Sequence, residues 1–382
     1  MQVKTIQITV FQIDNETFDA IGDISQFTSL VWPDKFNGYA FFEMWCPITD
    51  DNAALLKKGN VLWTGGENAG IIEIVKSIID ENGEKSFNVK GRTLEKYLED
   101  RVLWGGYAYT STLKASTVMY NLVKACAINP TNTNRIIPYL ECADDAQIGN
   151  TLNGYQKTGG SLYDALTALA SDSDIGFSVL FDPNNRKLIF EVRAGVDRTQ
   201  DNTSGNDPVV FSTELEDILA STYYTNNEDE KTMALVQGED SGSSRVSVTT
   251  GAVNGAGFNR KELYVDARDL QSEVYDESGT ASTLTPAQYQ ATLVTRGDEK
   301  LAEHVITETF EATIRQFGDV QYIYGTDYQK GDKVTIIDEQ LGISVSARIT
   351  SVEEDFDDEY ELILTFGYAY PTLLEKMKRT TT

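Results

Sequence analysis

The chain has 382 residues, 32 of them Lys or Arg and 59 Asp or Glu, for a formal net charge of −27. That length suits two or three domains, and a hydrophobic fraction of 41% can fill their cores. The charge argues against static binding to DNA or anionic membranes, where attraction to phosphate supplies much of the affinity.

Residues 1–105 read as β structure. The opening MQVKTIQITVFQID alternates as a strand does, with Ile6, Ile8 and Val10 on one side. It lacks the basic start and apolar block of a secretory signal. Tyr39, Phe41 and, after a slip, Met44 alternate again. Asn82-Gly83 is the strongest hairpin signal in the chain. Before it, strand parity places Ile72, Ile74 and Ile78 on one face; after it, Phe87 and Val89 share another. Gly91 breaks that strand. Thr93 is placed to cap a short helix with Leu94, Tyr97 and Leu98 on one side. Arg92 and Arg101 bracket this helix. Ion pairing with Glu95, Glu99 or Asp100 is favoured over anion binding, on proximity and overall charge.

Residues 106–200 read as a small α+β unit. Val118, Met119, Leu122, Val123 and Cys126 follow helical spacing, and Asn129-Pro130 ends that helix. RIIPYLECA is a short strand. Ser161 caps a helix with Leu162, Ala165, Leu166 and Leu169 on one face. Ile175, Phe177, Val179 and Phe181 then alternate, and DPNN leads to the hairpin partner Leu188, Phe190 and Val192. Residues 196–208 are polar and aperiodic, a linker or long loop. Short strands return over 209–250. A Gly, Ser, Asp and Thr-rich stretch covers 251–284, and Thr285-Pro286 opens a long helix to about residue 304. Residues 305–367 are β again.

Little in the chain points to catalysis. His304 is the only histidine, so any Ser–His–Asp or Cys–His pair would have to use it, and no histidine metal cluster is possible. It ends the long helix, where a histidine interacts favourably with the last carbonyls. Cys46, Cys126 and Cys142 are far apart and read as buried free thiols. Gly251, Gly255 and Gly257 lack the spacing and the strand–turn–helix setting of a dinucleotide site and read as a flexible loop. Asp172 and Asp174 have the first spacing of a calcium loop, but the glycine comes one position early and the twelfth-position glutamate is missing. EEDFDDEYE, with Glu353, Glu354, Asp355, Asp357, Asp358, Glu359 and Glu361, reads as a solvated hairpin tip ahead of a cation site. With 59 acids, a glycosidase-like carboxylate pair is only a weak alternative. No run of 18 apolar residues occurs to span a membrane. No catalytic, cofactor-binding or metal residue is assigned.

Four stretches together resemble a known family. They are KGRTLEKYLEDRVLWG, NLVKACAINPTNTNRIIPYL, NRKELYVDARDL at 259–270 and YGTDYQKGDKVTIIDEQLGISVSARITSVEEDFDDEYELILTFG at 324–367. The chain resembles the baseplate hub, or tail-tip, proteins of long-tailed phages, corresponding to the N-terminal structural part of tail-associated (Tal) proteins. The resemblance implies an α+β, mainly β fold: two tail-tube-like β-barrel domains with inserted α+β domains. The expected division is a first barrel at 1–105, an inserted α+β domain at 106–200, a second barrel at 201–370 with an insertion at about 241–304, and a basic tail at 371–382. It implies a non-enzymatic virion protein at the distal end of the tail, assembled in the host cytoplasm. Three copies would form a ring that joins the distal tail or tail tube protein to a tip or fibre protein. The tape measure protein and then DNA would pass through it, with no cofactor and no membrane insertion. An acidic inner wall is expected, because it offers a moving duplex no cationic site to arrest it. The alternatives are a carboxylate-dependent glycan hydrolase of the tail tip and the hub of a tail-like injection particle. The resemblance gives no support to a built-in lysin.

Overall fold

Alternation of apolar residues builds the first β region much as the sequence predicts. The computed structural model describes residues 6–367 apart from 25, 67, 68, 216, 241, 277, 316–319, 340, 341, 358 and 359, so the basic tail at 371–382 lies outside the described residues. The elements are β1 (Ile8–Ile13), β2 (Phe18–Ile24), β3 (Ser29–Lys35), β4 (Phe41–Pro47), α1 (Asp50–Leu55), β5 (Val61–Trp63), β6 (Ala69–Ile79), β7 (Lys85–Thr93) and α2 (Lys96–Glu99). Gly83 turns the β6–β7 hairpin at φ +83°, a conformation costly for other residues. Asp80 Oδ1 fastens the turn by accepting from the N–H groups of Asn82 (2.9 Å) and Glu84 (2.7 Å).

Three local expectations fail for physical reasons. A bulge between Ile72 and Ile74 breaks the parity of β6, so Ile72 is buried and Ile74 is 54% exposed. On β4 the buried side is Phe42, Met44 and Cys46, which puts Phe41 on the opposite face. Thr93 does not cap α2. Its hydroxyl accepts from the Ala40 N–H (3.0 Å) and donates to the Glu95 carboxylate (2.5 Å).

The following segment contains β8 (Gly106–Tyr109), β9 (Leu113–Lys114), α3 (Ala115–Val123), β10 (Leu140–Cys142), β11 (Thr151–Leu152), β12 (Tyr155–Thr158), α4 (Leu162–Asp172), β13 (Gly176–Asp182) and β14 (Lys187–Arg193). A π-helical turn, Lys124–Ile128, extends α3 and carries buried Cys126. The Ser161 hydroxyl caps α4, as its sequence predicts. This segment shares one core with β1, β2, β5 and β6: Phe181 stacks on Phe18 at 5.3 Å and meets Phe11 edge-on at 5.0 Å.

The rest of the chain forms β15 (Val210–Ser212), β16 (Ile218–Asn226), β17 (Met233–Gln237), β18 (Ser247–Gly251), β19 (Glu262–Asp266), β20 (Glu273–Tyr275), β21 (Ala281–Thr283), α5 (Pro286–Ala302), β22 (Thr307–Ile314), β23 (Lys333–Asp338), β24 (Ile343–Phe356) and β25 (Tyr360–Gly367). Helix α5 opens with a capping box between Thr285 and Gln288 and with Pro286 in its first turn. Its apolar side covers the β17–β18–β19 sheet.

Among the described residues, thirteen strands form one sheet, in the order β16-β22-β25-β24-β3-β4-β7-β6-β5-β1-β2, with β23 joined to β24 and β15 to β23. The two β regions are therefore continuous. Strand β24 is the seam: it pairs with β23 along Ile343–Asp338 to Arg348–Lys333, with β3 along Ser351–Asp355, and with β25 along Arg348–Phe356. A bulge between Ile349 and Ser351 marks the change of partner. Beyond it, Phe356 packs into the core of the first β region.

The 106–200 segment meets both β regions at Phe36. Arg348 stacks on its ring at 4.7 Å, and its guanidinium donates to the Asp174 carboxylate (2.7 Å) and the Ala194 carbonyl (2.5 Å). Glycines allow the close approach: a Cβ on Gly176 would lie 2.3 Å from the Phe36 carbonyl oxygen, and one on Gly331 would lie 2.4 Å from the ring. We expect Gly176→Ala to destabilise the fold by about 1–3 kcal/mol through overpacking, measured as a lower urea midpoint. An unchanged midpoint would contradict this account of the junction.

Candidate functional site

Register places one row of acids on the outward face of the seam. Val352 and Phe356 of β24 point into the cores, so Ser351, Glu353 and Asp355 take the other face. Across the ladder, Asp355 lies opposite Glu361 of β25, and Ser351 opposite Thr365, which in turn faces Glu311 of β22. This face therefore carries Glu311 and Glu361, which are exposed, and Glu353 and Asp355, which are half-buried. Burial raises the pKa of Glu353, with Asp355 and Glu311 adding repulsion; burial also raises that of Asp355, with Asp357 and Glu361 adding to it. Four of the acids read as a hairpin tip are thus inside strands, Glu353, Glu354 and Asp355 in β24 and Glu361 in β25, while Asp358 and Glu359 lie outside the described residues. The same face continues over β3, β4, β7 and β6 with mixed charge: Lys90 pairs with Glu43 (2.8 Å), and Arg92 with Glu73 and Glu99 (2.7 Å each).

Arg92 thus finds one of the partners expected for it, Glu99, and one from β6 that parity did not suggest. Its guanidinium lies 4.7 Å from the Tyr39 ring centroid. Arg101 differs from expectation. It donates to backbone carbonyls, those of Arg135 (2.6 Å) and Asp100 (3.0 Å) among them, and so holds the chain beyond α2, with no ion pair among the described residues.

Behind the seam lies a buried charge cluster. Lys330 Nζ is 2.5 Å from Asp34 Oδ1, with side chains 5% and 10% exposed, and this pair ties β3 to the turn before β23. Glu95 is buried beside it. The Val179 N–H donates to its Oε1 (2.9 Å), and burial, reinforced by Asp34, raises its pKa. Nothing in the local sequence marks this trio, because its members are far apart in the chain.

A cleft of about 660 Å³ separates the 106–200 segment from α5. Asp172 and Asp298 both line it; Asn150 Nδ2 donates to Asp172 Oδ2 (3.2 Å), and the Thr250 hydroxyl to Asp298. Burial raises the pKa of each, and Asp298 adds to the shift of Asp172. Glu299 lies nearby under α5. It is buried, with Arg296 Nε 3.7 Å away, and its pKa is pushed up to about 7, chiefly by burial.

The remaining candidates fall apart spatially. Asp174 pairs with Arg348 and Lys333, a structural role far from calcium ligation. Gly251 ends β18, and the loop after it is braced by Arg260, which donates to the Val253 (2.8 Å) and Gly255 (3.3 Å) carbonyls. The His304 ring does not cap α5: Nδ1 is buried without a partner among the described residues, and the backbone N–H closes the helix on Leu301. Cys46 and Cys126 are buried in separate cores, and Cys142 is half-buried. Among the described residues, no group of three His, Cys, Asp or Glu is placed to hold a metal, and no helix is long and apolar enough to cross a membrane.

The family model described as Siphovirus ReqiPepy6 Gp37-like protein matches residues 8–368. No curated protein matches the chain. Among solved structures, the chain is similar to the tail protein from Neisseria meningitidis MC58, at 14% identity over 96% of this chain and 99% of that one, with a TM-score of 0.55. It is similar to the 43 kDa tail protein of prophage MuSo2 from Shewanella oneidensis, at 12% identity over 94% and 98%, with a TM-score of 0.54. It is also similar to prophage tail protein gp18 from Listeria monocytogenes EGD-e, at 13% identity over 97% and 99%, with a TM-score of 0.51. At these identities the likeness speaks for the fold, which is mainly β and like that of phage tail proteins.

Two measurements test the buried charges. Lys330→Met leaves Asp34 buried and unpaired, so we expect a loss of about 3–5 kcal/mol in denaturant unfolding, largely recovered by adding Asp34→Leu. Glu299 holds its proton more tightly folded than unfolded. Its contribution is therefore complete below about pH 4.5 and is lost as pH rises through about 7. Glu299→Gln should flatten the stability–pH slope across that window; an unchanged slope would contradict the assignment.

Proposed function

The chain belongs to the Siphovirus ReqiPepy6 Gp37-like protein family, and on that premise we propose that it is a structural tail protein acting as a baseplate hub. Three copies form a ring that joins the distal tail or tail tube protein to a tip or fibre protein. The ring surrounds the path of the tape measure protein and DNA at the distal end of the tail. Residues 1–105 and 201–370 are its two tube-like barrel domains. Residues 106–200 and about 241–304 are inserted domains, and 371–382 form a basic tail. The protein has no catalytic role.

One observation carries this reading. A single sheet runs through both β regions, and its outward face bears Glu311, Glu353, Asp355 and Glu361 beside the seam. Such a face repels phosphate and gives a passing duplex nothing to bind.

The second reading is a carboxylate-dependent glycan hydrolase, favoured by the Asp172 and Asp298 pair lining one cleft. The two part on a simple experiment. Mass measurement of the purified protein at high concentration should give three copies, and incubation with cell-wall glycan should release no sugar. A monomer whose glycan hydrolysis disappears in Asp172→Asn and Asp298→Asn variants would overturn the hub reading.

A further inference from the structure

We propose that the unit between β16 and β22, residues 227–306, is an arm hinged at Asn226 and Thr307 that swings away from the 106–200 segment while the rest of the chain stays folded. The chain leaves β16 at Asn226 and returns to the sheet in β22 at Thr307, and these two residues form the last pair of that ladder. The end of one two-stranded ladder is thus the joint for the whole unit. The unit has a core of its own, with Val236, Val265, Leu270, Val274, Tyr289 and Leu293 buried in it. A unit with its own core and a narrow joint moves relative to its neighbours unless a large apolar interface holds it.

The interface with the 106–200 segment is of another kind. β8 and β12 turn one face to the arm: Gln156 pairs with Ala108 and Thr158 with Gly106 in register, and Ala108 packs on the arm's core. A Cβ on Gly106 would lie 2.2 Å from Val274 Cγ1, so the fit is close. Residues as small as Gly106, Ala108 and Gly154 bury little apolar area, however. Gln156 is 4% exposed, and neither its Nε2 nor its Oε1 has a hydrogen-bond partner among the described residues. The same holds for Arg296 Nε and Glu299 Oε1 of α5, which are buried as well. Each such group opposes closure, and opening to water relieves it. On the other side stands the Thr295 hydroxyl, which donates to the Gly154 carbonyl (2.7 Å). The cleft of about 660 Å³ leaves a gap beside this contact, and Asp172 of α4 and Asp298 of α5 line it as like charges. The closed arrangement is therefore specific in shape and weak in energy.

The test places a thiol in the closed interface. Thr292 is 2% exposed, and its Cγ2 lies 3.4 Å from where a Cβ on Gly154 would sit, so Thr292→Cys is a probe of similar size at the contact. Thermal melting checks that the variant keeps its fold. Its rate of modification by a maleimide is then compared with that of Cys46, which is buried in the core of the first β region, each taken relative to its own rate in concentrated urea. We expect the probe to react at least about tenfold faster, because only wider unfolding uncovers Cys46. Adding Gln156→Met, which removes both unpartnered atoms at similar length, should slow the probe at least about tenfold. A probe that reacts no faster than Cys46, or a rate that Gln156→Met leaves unchanged, overturns the hinged arm and leaves the hub reading intact.

Discussion

The register of β24 is the constraint on which the rest of the structure depends. This strand pairs with β3, β23 and β25 within fourteen residues. A slip of one residue would drive Glu353 and Asp355 into the cores and push Val352 and Phe356 onto the open face. The bulge at Ile349 and Ser351 lets one strand satisfy both β regions. The buried Lys330–Asp34 pair fastens the same seam from behind. Its partners lie 296 residues apart, so the pair closes a long loop.

That register has an electrostatic consequence. Glu353 and Asp355 bind protons more tightly in the folded chain than as free carboxylates, so their ionisation works against the fold. Under the hub proposal, an acidic face that lowers the stability of its own scaffold is explained by the duplex that would pass over it. A conduit for nucleic acid requires weak contact along its length. The buried groups near α5 differ in kind. Glu299 and Arg296 are buried residues of α5, and Lys157 and Asp172 of the 106–200 segment act on the Glu299 charge.

Much of this was legible in the sequence wherever the signal was local. The Asn82-Gly83 hairpin, the Ser161 cap, the Thr285-Pro286 helix start and the strand pair around DPNN all formed as their residues require. What local pattern could not reveal was decided by tertiary pairing. The bulge after Ile72 reversed the exposure of Ile74, and Thr93 was drawn from helix capping to Ala40 and Glu95. The acids near residue 355 read as a turn because their charge suits one; only the pairing with β3 makes them a sheet face. The Lys330, Asp34 and Glu95 cluster had no sequence signal at all, since no two of its members are near neighbours in the chain.

The central claim is that the seam presents its acidic face to the path of the duplex. A density map of the assembled tail tip tests this most directly. The account predicts a three-fold ring in which Glu311, Glu353, Asp355 and Glu361 face an open channel. A ring whose channel is lined by basic residues, or whose β24 face is turned to the particle exterior, would contradict it.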